Sequence, residues 1–335
     1  MAAQRPIAVL GAGSWGTALA ILLARNGHTV RLWGNEPPAM AELARTRRNA
    51  RYLPDAVFPD GLAVHDDLDK TLADRADVLV VVPSHAFRAV LNTLASRIAP
   101  DTPIAWATKG LEMASGKLLH QVAEEVLPAG TPTAVISGPT FAREVAAGLP
   151  TAATVAGNCI AVADHFAALL RGPTFRAYTS TDRIGVELGG ALKNVLAIAA
   201  GISDGLGFGA NSRAALITRG LAEMIRLGEA LGGQRETFMG LAGVGDLVLT
   251  CTDDQSRNRR MGLALGRGES REEAHKAIDQ VVEGVDTARE IHKLGKQYGI
   301  DLPISEQVYQ VLYKGLEPRA AVHALLAREP KAETA

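Results

Sequence analysis

Cysteine and aromatic side chains are scarce in this chain, and neither sign of charge dominates it. Two cysteines, Cys159 and Cys251, stand far apart among 335 residues and in no CxxC pair, which excludes a disulfide framework and fits a reducing, cytoplasmic setting. Phe, Trp and Tyr together make up 4% of the residues, too few for a platform on which nucleic-acid bases stack. Thirty-five Lys and Arg against 36 Asp and Glu leave a formal net charge of −1, so no global field draws nucleic acid or an anionic membrane. The eight histidines are scattered without HxxxH spacing, and neither cysteine has a close ligand partner, so no metal is expected. His85, after VVPS, is placed to be exposed without a chemical duty. The apolar run near the N-terminus, IAVL, is too short for a signal h-region. The longest apolar stretch, Leu188–Ala200, is interrupted by Lys193 and Asn194 and falls short of the ~18 uninterrupted residues of a membrane span. No membrane insertion is expected.

What is present is aliphatic: hydrophobic residues make up 47% of a chain long enough for about two domains. Ile7–Leu10, Thr29–Trp33, Val78–Val82, Ile104–Ala107 and Thr133–Ser137 read as short strands between helically spaced segments. DVLVVVP (Asp77–Pro83) shows no polar alternation, as suits a strand covered on both faces. Ala152–Val155 and Phe175–Thr179 extend the sheet, with Cys159–Leu170 as a crossover helix. The expectation for residues 1–182 is a doubly wound, mostly parallel α/β sheet with helices on both faces. From 183 to 335 the segments 183–200, 211–231, 256–266, 284–299 and 303–313 read as helices, predicting an all-α second domain. No repeat is visible, and only the tail AREPKAETA is expected to fray.

GAGSWG (Gly11–Gly16) matches GxGxxG between a predicted strand and a helix ending near Asn26, the context the dinucleotide fingerprint requires. Gly11 permits the tight turn, Gly13 lets a pyrophosphate approach the backbone, and Gly16 allows close helix packing. The helix N-terminus then attracts the phosphates. Trp15 either covers the turn or touches the ligand. At the end of the second strand, where the ribose hydroxyls bind, Asn35 favours neither NADH nor NADPH. Glu36 either contacts a 2′-hydroxyl or helps to start the next helix ahead of Pro37 and Pro38.

Lys193 stands in a helix that is otherwise apolar or glycine from Leu188 to Gly201, Asn194 excepted. Such an ammonium either snorkels to solvent or is a desolvated amine suited to proton transfer; Gly189 and Gly190, one turn earlier, favour close approach of a small ligand or of the other domain. Lys109 follows a predicted strand, at the sheet edge where doubly wound folds bind ligands. Asp246 opens an apolar helix, with Thr250 on the same face four residues on; N-capping is the alternative role for Asp246. In DDQSRNRR, Ser256 reads as the N-cap of a helix whose first turn carries Arg257, Arg259 and Arg260. Cations there oppose the helix dipole, a conflict that a bound phosphate removes. Arg257 is assigned to the ligand, whereas Arg259 and Arg260 serve equally well as a patch paired with Asp253 and Asp254.

Taken together, GAGSWG, VVPSH, WATKGLE, ISGPTFAREVAAGLP, ELGGALKNVLAIAAGISDGLGFGAN, AGVGDLVLTCT, SRNRR and VVEG, spread from about residue 6 to 325, resemble the bacterial NAD(P)-dependent glycerol-3-phosphate dehydrogenases. GGALKN with SRNR in this order is particular to that family. The resemblance implies reversible NAD(P)H-dependent reduction of dihydroxyacetone phosphate to sn-glycerol 3-phosphate, feeding phospholipid synthesis, with Lys193 as proton donor and acceptor. It implies a substrate site of Lys109, Gly138, Thr140, Lys193, Asp246, Thr250, Ser256, Arg257 and Asn258. Cofactor contacts would come from Ser14, Trp15, Lys109, Ala142, Arg257 and Glu283, beside Gly11, Gly13, Gly16 and Asn35. Family members often carry histidine or a basic residue after LWG, where this chain has Asn35, so a strong NADPH preference does not carry over. A homodimer is compatible with the fold. The rival readings are a two-domain relative acting on a hydroxy acid and a non-catalytic dinucleotide sensor.

Overall fold

Strands buried on both faces organise the first part of the chain. The computed structural model describes residues 5–113 and 115–329, so residues 330–335 of the tail expected to fray lie outside the described residues. By contacts the chain divides into two units, Met1–Glu187 and Leu188–Ala335. In chain order the first contains β1 (Ile7–Leu10), α1 (Ser14–Arg25), β2 (Val30–Trp33), α2 (Pro37–Thr46), β3 (Arg48–Asn49), β4 (Leu53–Val57), β5 (Leu62–His65), α3 (Leu68–Leu72) and β6 (Asp77–Val80). It continues with α4 (Ser84–Ala95), β7 (Ile104–Trp106), α5 (Leu119–Val126), β8 (Thr133–Ser137), α6 (Ala142–Ala147), β9 (Thr151–Gly157), α7 (Ile160–Leu170) and β10 (Phe175–Ser180).

Eight of these strands form one sheet in the order β10-β9-β8-β7-β6-β1-β2-β5. Every neighbouring pair is parallel except β8–β9. Strand residues alternate between two apolar layers: Val9, Leu79, Ala105 and Ile136 join the core with α1, α6 and α7. Their neighbours Ala8, Val78, Val80 and Trp106 are equally buried on the opposite face, where Phe87 of α4 meets Trp106 edge-on with ring centroids 5.6 Å apart. Burial on both faces is why these strands read as unbroken apolar runs. β3 and β4 form a separate antiparallel hairpin. Neither they nor β5 were expected, because RN is too short, LPDAV is interrupted by proline and LAVH carries little pattern. β1 lies between β2 and β6, so the chain reverses its direction of progress across the sheet beside β1. In open α/β sheets ligands bind beyond the strand C-termini at such a reversal.

Helix α8 (Arg183–Gly205) begins before the division and continues beyond it, five residues past the expected end at Ala200. It is long and apolar enough to cross a bilayer by length and composition, yet 94% of its most apolar window is buried in the protein. The second unit adds α9 (Ala210–Ala230), α10 (Arg235–Phe238), a π-helical turn (Leu241–Gly245), α11 (Asp246–Thr252), α12 (Arg257–Gly266), α13 (Arg271–Ile278), α14 (Glu283–Tyr298), α15 (Pro303–Lys314) and α16 (Pro318–Leu326). Its described residues contain no strand, in agreement with the helical periodicity. α8 and α12 cross in backbone contact: a Cβ on Gly201 would lie 2.1 Å from Arg259 O, and one on Gly262 would lie 2.1 Å from Ile198 O. Missing side chains at that crossing set how closely the helix of Lys193 approaches the helix of Arg257.

Candidate active site

GAGSWG forms the turn from β1 into α1. Gly11 has φ +120°, and a Cβ there would meet Val81 O at 2.3 Å, so only glycine fits. A Cβ on Gly16 would sit 1.9 Å from Gly11 O, which is how the helix lies tight against the turn. Around Gly13 the corresponding space is open for 4 Å. Gly13 is also the N-cap of α1 and offers no side-chain acceptor, leaving first-turn N–H groups, Ser14 among them, available to an anion. The Trp15 indole packs against the sheet core, yet its Nε1–H is buried without a protein acceptor. Asn35 and Glu36 are both exposed just past β2; Glu36 occupies the N-cap position of α2 without a capping side-chain bond.

Two further loops reach the same C-terminal edge of the sheet. Lys109, past β7, donates from Nζ to Gly138 O at 3.3 Å, and Thr140 donates from Oγ1 to the same carbonyl at 3.0 Å. Gly138, just past β8, has φ +154°, and a Cβ there would come 2.9 Å from Ala153 Cα. Ala142 opens α6 behind Phe141, whose side chain provides no cap. The structure therefore brings Lys109, Gly138 and Thr140 into one cluster.

In the second unit, Lys193 is 7% exposed and does not snorkel. Its Nζ donates to Asp246 Oδ1 at 2.5 Å and to Thr250 Oγ1 at 2.9 Å. Asp246 and Thr250 are themselves buried, and the Thr250 hydroxyl donates to Asp246 O at 2.6 Å. Asp246 thus binds the ammonium instead of capping its helix, and its carboxylate offsets the cost of taking that cation out of water. The π-helical turn aims α11 at α8: a Cβ on Gly189 would lie 2.4 Å from Ala242 O. At Gly189 the space expected for a small ligand or the other domain is instead filled by this turn of the same unit. Cys251 is buried beside the cluster, and burial pushes its thiol up to about 12, which keeps it protonated and inert.

Ser256 caps α12, accepting from Arg259 N. The arginines then part company. Arg259 is 9% exposed at its side chain and pairs with Asp204 at 2.5 Å and Asp254 at 2.9 Å, a structural role. Arg257 reaches only Gln280 Oε1, at 3.4 Å, and forms no ion pair among the described residues. Asn258 donates to Asn194 Oδ1 and accepts from Gly284 N, both at 2.9 Å, which ties α8, α12 and the start of α14 together next to Lys193, Arg257 and Glu283. Asn194 and Gly284 escaped the reading of the sequence by chemistry, and their adjacency to Lys193 and Glu283 in KN and EG was the available signal. No group of three or more potential metal ligands occurs among the described residues.

Two family profiles divide the chain: the N-terminus of NAD-dependent glycerol-3-phosphate dehydrogenase matches residues 6–163, and its C-terminus matches residues 182–323. The chain belongs to this dehydrogenase family. It is 60% identical over 330 residues to glycerol-3-phosphate dehydrogenase (NAD(P)+) of Thioalkalivibrio sulfidiphilus, covering 98% of this chain and 99% of the relative. Its identity to the enzyme of the same name from Nitrosococcus oceani is 58%, covering 98% and 95% of the two chains. The crystal structure of glycerol-3-phosphate dehydrogenase from Coxiella burnetii superimposes with a TM-score of 0.94 at 51% identity, over 97% of this chain and 99% of that one. The family's cofactor suits the residues present: the open space at Gly13, the uncapped start of α1 and the orphaned Trp15 Nε1–H form a cradle of donors that a dinucleotide pyrophosphate would fill.

Proposed function

We propose that Lys193 is the proton donor in the reaction of this chain, the NAD(P)H-dependent reduction of dihydroxyacetone phosphate to sn-glycerol 3-phosphate. The observation that carries the assignment is a buried ammonium held at 2.5 Å by Asp246 and at 2.9 Å by Thr250. A cation kept in that setting is aimed, and a lysine ammonium is a general acid for a carbonyl oxygen gaining negative charge. When bound, the reduced nicotinamide supplies the hydride that the substrate C2 accepts. Lys193 gives its proton to the C2 oxygen and regains one from water, while the Asp246 side chain orients Nζ. Lys109, beside Gly138 and Thr140, stabilises the developing charge.

The substrate phosphate is held by Arg257, Asn258 and the N–H groups following Ser256. Arg257, unlike Arg259, meets no carboxylate among the described residues. Residues 1–182 serve as the dinucleotide-binding domain, through Gly11, Gly13, Ser14, Trp15, Gly16, Asn35 and Ala142. Residues 183–335 form the substrate domain and contribute Arg257 and Glu283 to the cofactor. Either nicotinamide nucleotide is used, since Asn35 neither repels nor pairs with a 2′-phosphate. The setting is cytoplasmic, and a homodimer is compatible with the fold.

Initial-rate assays on Lys193→Ala test the central assignment. Turnover should fall by about three or more orders of magnitude, with NADPH binding measured by fluorescence unchanged. Near-normal turnover would remove Lys193 from the chemistry.

A further inference from the structure

The β3–β4 hairpin adds nothing to the eight-stranded sheet, yet it sends one side chain into the glycine turn. Asn49 is 2% exposed, and its Nδ2 donates to Ala12 O at 2.9 Å and to Thr17 Oγ1 at 2.8 Å. A carbonyl can only accept, so the amide nitrogen must face it. Thr17, fully buried, turns its own hydroxyl to the same carbonyl at 3.4 Å. Ala12 is the middle residue of Gly11-Ala12-Gly13, and its carbonyl is thus gripped from the side of the hairpin. The hairpin is itself anchored: Arg47, in the left-handed region at φ 56°, donates to Leu62 O and Pro59 O, each at 2.7 Å.

The peptide joining Ala12 to Gly13 is trans, and in a planar trans peptide the C=O and the following N–H point in opposite directions. Holding the Ala12 carbonyl toward Asn49 therefore turns the Gly13 N–H away from Asn49, and a Cβ built on Gly13 would meet nothing within 4 Å. Were that peptide free to rotate, the carbonyl oxygen could face an incoming phosphate in place of a donor, opposing the helix dipole at the start of α1. We propose that Asn49 is a positioning residue of the dinucleotide site, holding the Ala12 carbonyl away from the cofactor pyrophosphate and aiming the Gly13 N–H at it. The role rests on GAGSWG being the cofactor site. It acts on a part common to NADH and NADPH, so both lose affinity together when it is removed.

The test is fluorescence titration of NADPH and of NADH into the full-length wild type, Asn49→Ala and Asn49→Asp, with steady-state kinetics and thermal unfolding of each. Asn49→Asp keeps the shape and replaces the donor with an oxygen facing a carbonyl. Dissociation constants for both nucleotides should rise about tenfold in Asn49→Ala, the scale of one lost buried hydrogen bond, and further in Asn49→Asp. At saturating cofactor, kcat and the KM for dihydroxyacetone phosphate should stay within about twofold of wild type. A residue that only supports folding would lower Tm and leave the dissociation constants of the folded protein where they were. Wild-type affinity in Asn49→Asp overturns the proposal. Should Asn49→Ala not fold, Asn49→Ser and Asn49→Asp keep a polar group in the slot and decide the matter in the same titration. Failure of the wild type to bind either nucleotide would instead sink the cofactor site, a result separable from the role of Asn49.

Discussion

Arg257 and Arg259 are chemically identical and two positions apart, and their surroundings give them opposite duties. Two carboxylates engage Arg259, while Arg257 reaches only an amide oxygen at 3.4 Å. On one helix turn, residues two apart point to nearly opposite sides, so one faces the interior network of Asp204 and the other the cap of α12. Arg257→Ala should raise the KM for dihydroxyacetone phosphate by about ten- to a hundredfold, with kcat falling much less, as for the loss of one charge-assisted contact. Unphosphorylated dihydroxyacetone provides the control: if Arg257→Ala impairs it equally, the guanidinium does not serve the phosphate. Asp246 teaches the same lesson. Its place at the start of a helix suggested capping, and what it meets is an amine 53 positions earlier in the chain.

Element geometry is decided by side chains that are missing. Lys193 and Arg257 lie on α8 and α12, and the crossing of those helices depends on Gly201 and Gly262. A methyl group on Gly262 would meet Ile198 O at 2.1 Å and Ile202 N at 2.8 Å, backbone atoms that cannot turn aside as a flexible side chain would. Gly262→Ala should therefore cost about 1–3 kcal/mol of stability by overpacking, seen as a lower Tm in calorimetry. It should also raise the KM for the phosphorylated substrate as the helices separate. A Tm equal to wild type would show that the crossing tolerates a wider gap. The π-helical turn works similarly ahead of α11, since Gly189 opens α8 to Ala242 O. Single-turn π segments are common at functional sites, and AGVG carries no periodicity that would announce one.

At the scale of the whole molecule, stability is tied to pH through a group remote in sequence from the chemistry. Glu223 on α9 is 1% exposed and accepts from Ile304 N, Ser305 N and Ser305 Oγ at the start of α15. Burial outweighs those donors and pushes its carboxyl from 4.5 up to about 7. A raised folded value means that the contribution is fully present below about pH 4.5, declines as pH rises, and is lost above about pH 7. The integrated change is on the order of 3 kcal/mol. Denaturant titrations of wild type should show stability falling from pH 5 to 8 relative to Glu223→Gln, whose neutral amide does not titrate. Parallel curves for the two proteins over that window would contradict the role of Glu223.

Legibility followed the range of the interactions involved. β1 and β6 were readable because burial on both faces writes an unbroken apolar run into consecutive residues, and GAGSWG because a turn needing φ +120° at Gly11 admits little besides glycine. The helical second unit was readable from its period. β3, β4 and β5 were not, being short, polar or interrupted by Pro54, and the use of Asn49 depended on Ala12 and Thr17, far upstream. Lys193 was conspicuous as a lone cation in an apolar helix; its partners were not.

From the sequence alone come the alternation of strands with helices, the dinucleotide turn, the helical second half and the list of residue types able to do the chemistry, because each is encoded between near neighbours by sterics, capping and burial period. The tertiary structure alone decides which of those groups meet: Asp246 with Lys193, Asp204 with Arg259, Asn49 with Ala12. The physical reason is that hydrogen bonds and ion pairs act over about 3 Å in space, a separation on which distance along the chain has no bearing.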